Sequence, residues 1–186
     1  MAGRLEGKVA IITGGGSGLG RETALEYGKE GCAVVVSSRV PEQDEQVAAE
    51  IRDAGGRAIA ATADVTSEDE IQAMVDRCLS EFGRVDICMA YAGIAGAGPS
   101  GTLDSNTKIR EQSLEAWNQM LDVNVTGVFL AYRAVIPAMI EQGGGSLASI
   151  SSASVRFRQR LRAGTGRAWS GRGPPPPPRP CNRRGT

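Results

Sequence analysis

The eight residues from Thr13 to Gly20 read TGGGSGLG, with glycines at 14, 18 and 20 in the spacing G-x-x-x-G-x-G. A loop of this kind turns tightly where φ is positive. It lets backbone approach a pyrophosphate and presents the unpaired N–H groups of a following helix. Taken alone, such a stretch also fits a merely flexible turn. Here it lies between an apolar run and a helical pattern at the head of a βαβ series, which points to nucleotide binding. A second candidate is GGSLASISS (Gly144–Ser152), an apolar strand ending in two serines, a suitable place for a reactive hydroxyl. A third is VVVSSRV, in which Ser38 and Arg39 follow an apolar run some 20 residues beyond the glycines. In a dinucleotide fold an acid there accepts bonds from a ribose 2′-hydroxyl, whereas an arginine favours a 2′-phosphate.

These residues need a scaffold, and the chain spells one. KVAIIT (Lys8–Thr13), CAVVVSS (Cys32–Ser38), RAIAAT (Arg57–Thr62), VDICMA (Val85–Ala90) and SLASIS (Ser146–Ser151) are short, apolar or β-branched, and read as strands. Helical stretches separate them: Gly18 to Lys29, Pro41 to the Gly55-Gly56 stop, Ser67 to Phe82, and a long pattern from Ser113 to Gln142. Pro41 suits a first helical turn, and Ser67 with Glu70 forms a capping box. A Gly/Pro/Ser loop fills residues 93–107. Strands alternating with helices predict parallel βαβ units with both sheet faces covered. The fold class is therefore α/β, a doubly wound Rossmann-type parallel sheet with expected order 3-2-1-4-5 and a switch point between strands 1 and 4.

The ordered set TGGGSGLG, ADV (Ala63–Val65), YAG (Tyr91–Gly93), DVNVTG (Asp122–Gly127) and GGSLASISS strongly resembles the short-chain dehydrogenase/reductase family. The resemblance runs from Leu5 to about Phe157. It implies hydride transfer between NAD(P)(H) and an alcohol or carbonyl. It places Thr13, Gly14, Ser17, Gly18, Leu19 and Gly20 at the cofactor phosphates, and Asp64 and Val65 against the adenine. Ala92 and Gly93 form the floor beneath the cofactor. The family usually has asparagine where this chain has Tyr91. With Ser38 in the place of the acid and Arg39 beside it, NADP(H) is favoured over NAD(H).

The same resemblance makes Ser152 the group that holds the substrate oxygen and Asn124 a member of a water-linked proton path. It also calls for a tyrosine near residue 165 with a lysine four residues later. That region reads RAGTGRAWS. The three tyrosines are Tyr27, Tyr91 and Tyr132, none has a lysine four residues on, and the last lysine is Lys108. There is no histidine to substitute. The expectation is a family sequence truncated or frameshifted after about Phe157, with catalysis impaired or absent. A non-catalytic nucleotide-binding fragment, or an interaction protein acting through its tail, are the competing readings.

Charge marks the same break. Residues 1–155 carry 12 basic and all 21 acidic side chains, whereas residues 156–186 carry nine arginines, no lysine and no acid. The second segment also holds the run Pro174–Pro178 and reads as a disordered or polyproline-like tail after a nucleotide-binding domain at 1–155. Arginines with few interleaved aromatics give poor support for specific nucleic-acid recognition. The four cysteines (Cys32, Cys78, Cys88, Cys181) form no CxxC, and no His/Cys metal site is possible. Reduced, buried thiols and the lack of a long apolar N-terminal core suggest the cytoplasm. No unbroken apolar run of about 18 residues occurs, so no membrane span is expected. A small alcohol or carbonyl is the implied substrate, and a homo-oligomer is the habit of the family.

Overall fold

The β-branched runs VAIIT and AVVVS are buried on both faces within a five-stranded parallel sheet, whereas the SLAS run at its end stays largely exposed. The computed structural model describes residues 3–94 and 112–151. The elements are β1 (Val9–Thr13), α1 (Gly18–Lys29), β2 (Ala33–Ser37), α2 (Pro41–Asp53), β3 (Arg57–Ala60), α3 (Glu68–Phe82), β4 (Ile87–Ala90), α4 (Leu114–Leu121), α5 (Gly127–Glu141) and β5 (Ser146–Ser149). A π-helical segment, Asp122–Thr126, joins α4 to α5. The sheet order is β3-β2-β1-β4-β5, and every pairing is parallel. The expected order and the switch point between β1 and β4 both hold.

Alternate residues of each strand feed two cores. Val9, Ile11 and Val35 face a cluster with Ile71, Met74 and Val75 of α3 and Ala131, Val135 and Met139 of α5. Ala10, Ile12, Val34 and Val36 face Ala24 of α1 and Val47, Ala48 and Ile51 of α2. Each fully buried aliphatic side chain contributes about 1.5–3 kcal/mol of transfer free energy. Cys32, Cys78 and Cys88 are buried free thiols, and burial pushes each up to about 12, so they stay protonated.

The strands are one or two residues shorter than the apolar runs. The outlying residues still bond to the neighbouring chain, as in Ala61 N–H to Val36 O and Asp86 N–H to Val9 O, both within 3 Å. The capping box forms only in part. Ser67 Oγ accepts from Glu70 N–H, but the Glu70 carboxylate reaches back to Asp64 N–H at 2.9 Å. The helical stretch from Leu114 to Glu141, 28 residues, is by length and composition apolar enough to cross a bilayer, although it holds no unbroken apolar run of about 18 residues. Its inner side is packed on the sheet through Leu130, Ala131, Val135 and Met139. Its other side exposes Leu114, Trp117, Leu121, Val125, Phe129, Ile136 and Ile140. β5 pairs with β4 and has no second neighbour among the described residues. The segment 95–111 and residues 152–186, which include Ser152, Phe157, Cys181 and the arginine-rich tail, lie outside the described residues.

At the base of the sheet, Asp86 is 7% exposed and binds Val9 N–H, the Arg84 guanidinium in two places, and Lys8. Burial pushes its carboxyl up, but the bonds from Arg84 and Val9 outweigh that and hold it below the ordinary carboxylate range. Its stabilising effect is therefore complete above the unfolded value of about 4 and is lost as pH falls through the lower folded value. Asp86→Asn should lower stability by about 2–3 kcal/mol at neutral pH. Urea unfolding followed from pH 7 to pH 3 should show the difference between parent and variant shrinking as the pH falls.

Candidate functional site

The carboxyl ends of the strands converge on a groove at the switch point, the place where open α/β sheets take ligands. Gly14 opens the turn after β1 with φ of +68°, and a Cβ there would stand 2.7 Å from Ala92 N. The β1–α1 turn and the strand β4 exit therefore touch backbone to backbone. Thr13 is buried beneath this contact. Its carbonyl accepts from Tyr91 N–H at 3.1 Å, and its hydroxyl accepts from Ala92 N–H at 3.4 Å. Thr13 thus supports the groove rather than lining it.

Gly18, with φ of +52° and open space where a Cβ would be, starts α1. Ser17 precedes it in extended conformation and makes no side-chain cap bond, so both its hydroxyl and the first N–H groups of α1 are available. Leu19 is 65% exposed beside them. This is a cradle with donors and no side chain in the way, and it fits the diphosphate of a dinucleotide.

To one side of the cradle lies a cavity of about 200 Å³, lined by Gly14, Ser17, Ser38, Arg39, Val40, Gln43, Ala63, Asp64, Val65, Ala92, Gly93, Ile94 and Val123. To the other side, Gly14, Ser17, Leu19, Gly20, Tyr91, Ala92, Gly93 and Ile150 line a second hollow. The two share Gly14, Ser17, Ala92 and Gly93 and form one groove. Nearly all the residues singled out as cofactor contacts thus meet at one place, with Thr13 just below. Val40, Gln43, Ala63, Ile94 and Val123 join them without a chemical signature that marked them in the sequence.

Electrostatics vary along the groove. Arg39 is over half exposed, and its Nη1 lies 3.9 Å from Asp64 Oδ2. Asp64 Oδ1 accepts the N–H of Thr66 at 2.9 Å and its hydroxyl at 2.7 Å. Burial pushes the Asp64 carboxyl up, but Thr66 and Arg39 more than offset it, and the net shift is downward. Asp64 therefore stays ionised at neutral pH and holds the loop after β3. Beneath Ser38 sits the buried carboxylate of Asp44, which the sequence reading passed over; the only hint was an acid in the first turn of α2.

Asn124 lies in the π-helical segment, a helical irregularity that often accompanies function. Its amide side chain grips one residue: Oδ1 accepts Ile94 N–H and Nδ2 donates to Ile94 O, each at 2.8 Å. Gly93 lies close beneath it, and a Cβ there would stand a tight 3.0 Å from Asn124 Oδ1. Asn124 thus fixes the end of the groove floor. Asn124→Ala should cost about 0.5–1.5 kcal/mol of stability, and hydrogen exchange at the Ile94 amide should accelerate while exchange in β1 is unchanged apart from the global shift.

The sequence profile described as short chain dehydrogenase matches residues 8–162, a few residues past Phe157. A 2,5-dichloro-2,5-cyclohexadiene-1,4-diol dehydrogenase of Sphingobium indicum is 40% identical over 152 residues, covering 82% of this chain and 57% of the relative. The crystal structure of a short-chain type dehydrogenase/reductase from Mycobacterium marinum superposes with a TM-score of 0.75 at 36% identity, over 84% of this chain and 60% of that one. A 7α-hydroxysteroid dehydrogenase complexed with NADH and 7-oxo glycochenodeoxycholic acid gives 0.72 at 34% identity, over 84% and 57%. The chain spans a little over half the length of the curated relatives it matches.

Proposed function

The chain belongs to the short-chain dehydrogenase family, whose members use NAD(P)(H), and we propose that its groove binds NADP(H) in preference to NAD(H). The observation that carries this reading is the placing of Arg39. It stands exposed on the cavity wall beside Ser38 and Ser17, at the end of a second strand that ends in serine rather than an acid. A doubly charged 2′-phosphate there gains charge-assisted bonds that a 2′-hydroxyl does not. Gly14, Gly18, Leu19 and Gly20 with Ser17 would receive the diphosphate at the head of α1. Asp64 and Val65 would meet the adenine, with Ala92 and Gly93 beneath. Replacing Arg39 with Asp should reverse the order of affinities, with NADH then binding about tenfold or more tightly than NADPH. Fluorescence titration of both reduced dinucleotides into both proteins checks this, and equal affinities before and after the change would refute it.

When bound, the nicotinamide supplies or accepts a hydride at the carbon of a carbonyl or alcohol. Ser152 would hold the substrate oxygen, and Asn124, through the loop it fixes, would belong to the proton path. The sequence contains no Tyr-x-x-x-Lys, so the acid that protonates the oxygen and the lysine that tunes that acid are both missing from the 186 residues. A positioned acid accounts for about 10²–10⁴-fold in rate. We therefore read this chain as an oxidoreductase by lineage whose turnover is impaired or absent, and the lack of the pair favours a non-catalytic dinucleotide-binding role as the second reading. Ketone reduction by the purified chain with NADPH should stay at background. A chimera in which a family-type segment bearing Tyr-x-x-x-Lys replaces residues 158–186 should turn over. Robust reduction by the sequence-verified chain, abolished by Ser152→Ala, would overturn this reading.

A further inference from the structure

Asp44 is fully buried, and no basic side chain lies within ion-pair distance of it among the described residues. Its Oδ2 accepts Ser38 N–H at 2.8 Å and the Thr62 hydroxyl at 3.1 Å. Its Oδ1 has no hydrogen-bond partner, one of only two such buried side-chain oxygens among the described residues. That oxygen faces Gly16, where a Cβ would stand 2.8 Å from it and 3.0 Å from Ser38 Oγ. One carboxylate thus packs against the β1–α1 turn, the β2–α2 turn and the loop that follows β3. The neighbours Ser17, Ser38 and Ala63 on those three segments line the same cavity wall.

A carboxylate with one free oxygen, directly behind Ser38, lowers the potential where Arg39 raises it. We propose that Asp44 is a specificity-determining positioning residue for the adenosine end of the groove: it anchors the Ser38 turn and limits the preference for a 2′-phosphate that Arg39 confers. The inference rests on the reading of this cavity as a dinucleotide site. Burial also holds the Asp44 carboxyl above its ordinary range, with the bonds from Ser38 and Thr62 opposing that shift, as befits a charge with incomplete compensation.

The two contributions separate by substitution. Asp44→Asn keeps the shape and the acceptor for Ser38 N–H but removes the charge. Thr62→Val leaves the charge and removes one of the donors that offset it. The probes are adenosine 2′,5′-bisphosphate and 5′-AMP, which need only the adenosine half of the groove, titrated calorimetrically into the full 186-residue chain. In Asp44→Asn the ratio of affinities should move toward the bisphosphate by about three- to tenfold, with 5′-AMP little changed. In Thr62→Val it should move the other way. A ratio within about twofold of the parent's in both variants, or one that moves toward 5′-AMP in Asp44→Asn, overturns the role of Asp44 while leaving the dinucleotide site intact. Failure of the parent chain to bind either probe overturns this inference together with the reading beneath it.

Discussion

The contact on which the groove depends is backbone against backbone, Gly14 against Ala92. A parallel sheet with β1 at its centre sends β2 and β4 to opposite sides, so the loops that leave β1 and β4 must pass each other at the switch point. They can do so at this distance only if one of them has no Cβ and can take positive φ. Gly14 does both. Once the turn is fixed there, α1 starts with its N–H groups facing the groove. Thr13 locks the partner strand from below through Tyr91 and Ala92. The cradle at the head of α1 is thus a consequence of chain crossing, and its N–H donors are backbone groups that no side-chain substitution can remove.

Two aspartates, Asp64 and Asp44, hold the loops at this end of the sheet and a third, Asp86, holds the opposite end, each in a different electrostatic setting. Asp86 is compensated by two cations and an amide and sits below its usual range. Asp64 is compensated by its own turn and by Arg39. Asp44 is compensated by two neutral donors only and sits above its range. A buried carboxylate with incomplete compensation is weak evidence for stability, because the same volume filled by an apolar side chain is often as good or better. What Asp44 does provide is orientation, since it joins three segments with one rigid group.

The fold was legible because its signals are local and repeated. Five apolar runs, each bounded by glycine or by a helix start, and four helical stretches between them leave few topologies open under the crossover rules. The positions of the glycine turn and of Arg39 on the groove were legible for the same reason, since backbone freedom at a strand end and formal charge are displayed by a sequence. Asp44 was not, because a buried acid and a solvated acid in a first helical turn look the same until β3 brings Thr62 against it. The π-helical turn around Asn124 was hidden as well. The pattern Val-Asn-Val-Thr crowds β-branched residues into a helix, but the partner of the Asn124 side chain, Ile94, lies thirty positions away. The half-formed capping box has a similar cause, since the Asp64 amide competes for Glu70.

The two ends of the groove are built to different standards. The end beside Arg39 is enclosed by β2, β3 and α2, with buried valines below and hydrogen-bonded carboxylates at the turns. The other end is bounded by Tyr91, Leu19 and Ile150, next to an edge strand whose Leu147 is exposed. The outer face of the helical stretch from Leu114 to Glu141 carries seven large exposed apolar side chains, far more than a solvated helix face needs. On the proposed reading, binding energy for a dinucleotide can come mostly from the first end, because phosphate and adenosine contacts would lie there. Rate acceleration cannot, because it requires groups placed against the reacting atoms at the second. On that reading, holding a cofactor and using it would be physically separate properties, carried by different segments of the sequence.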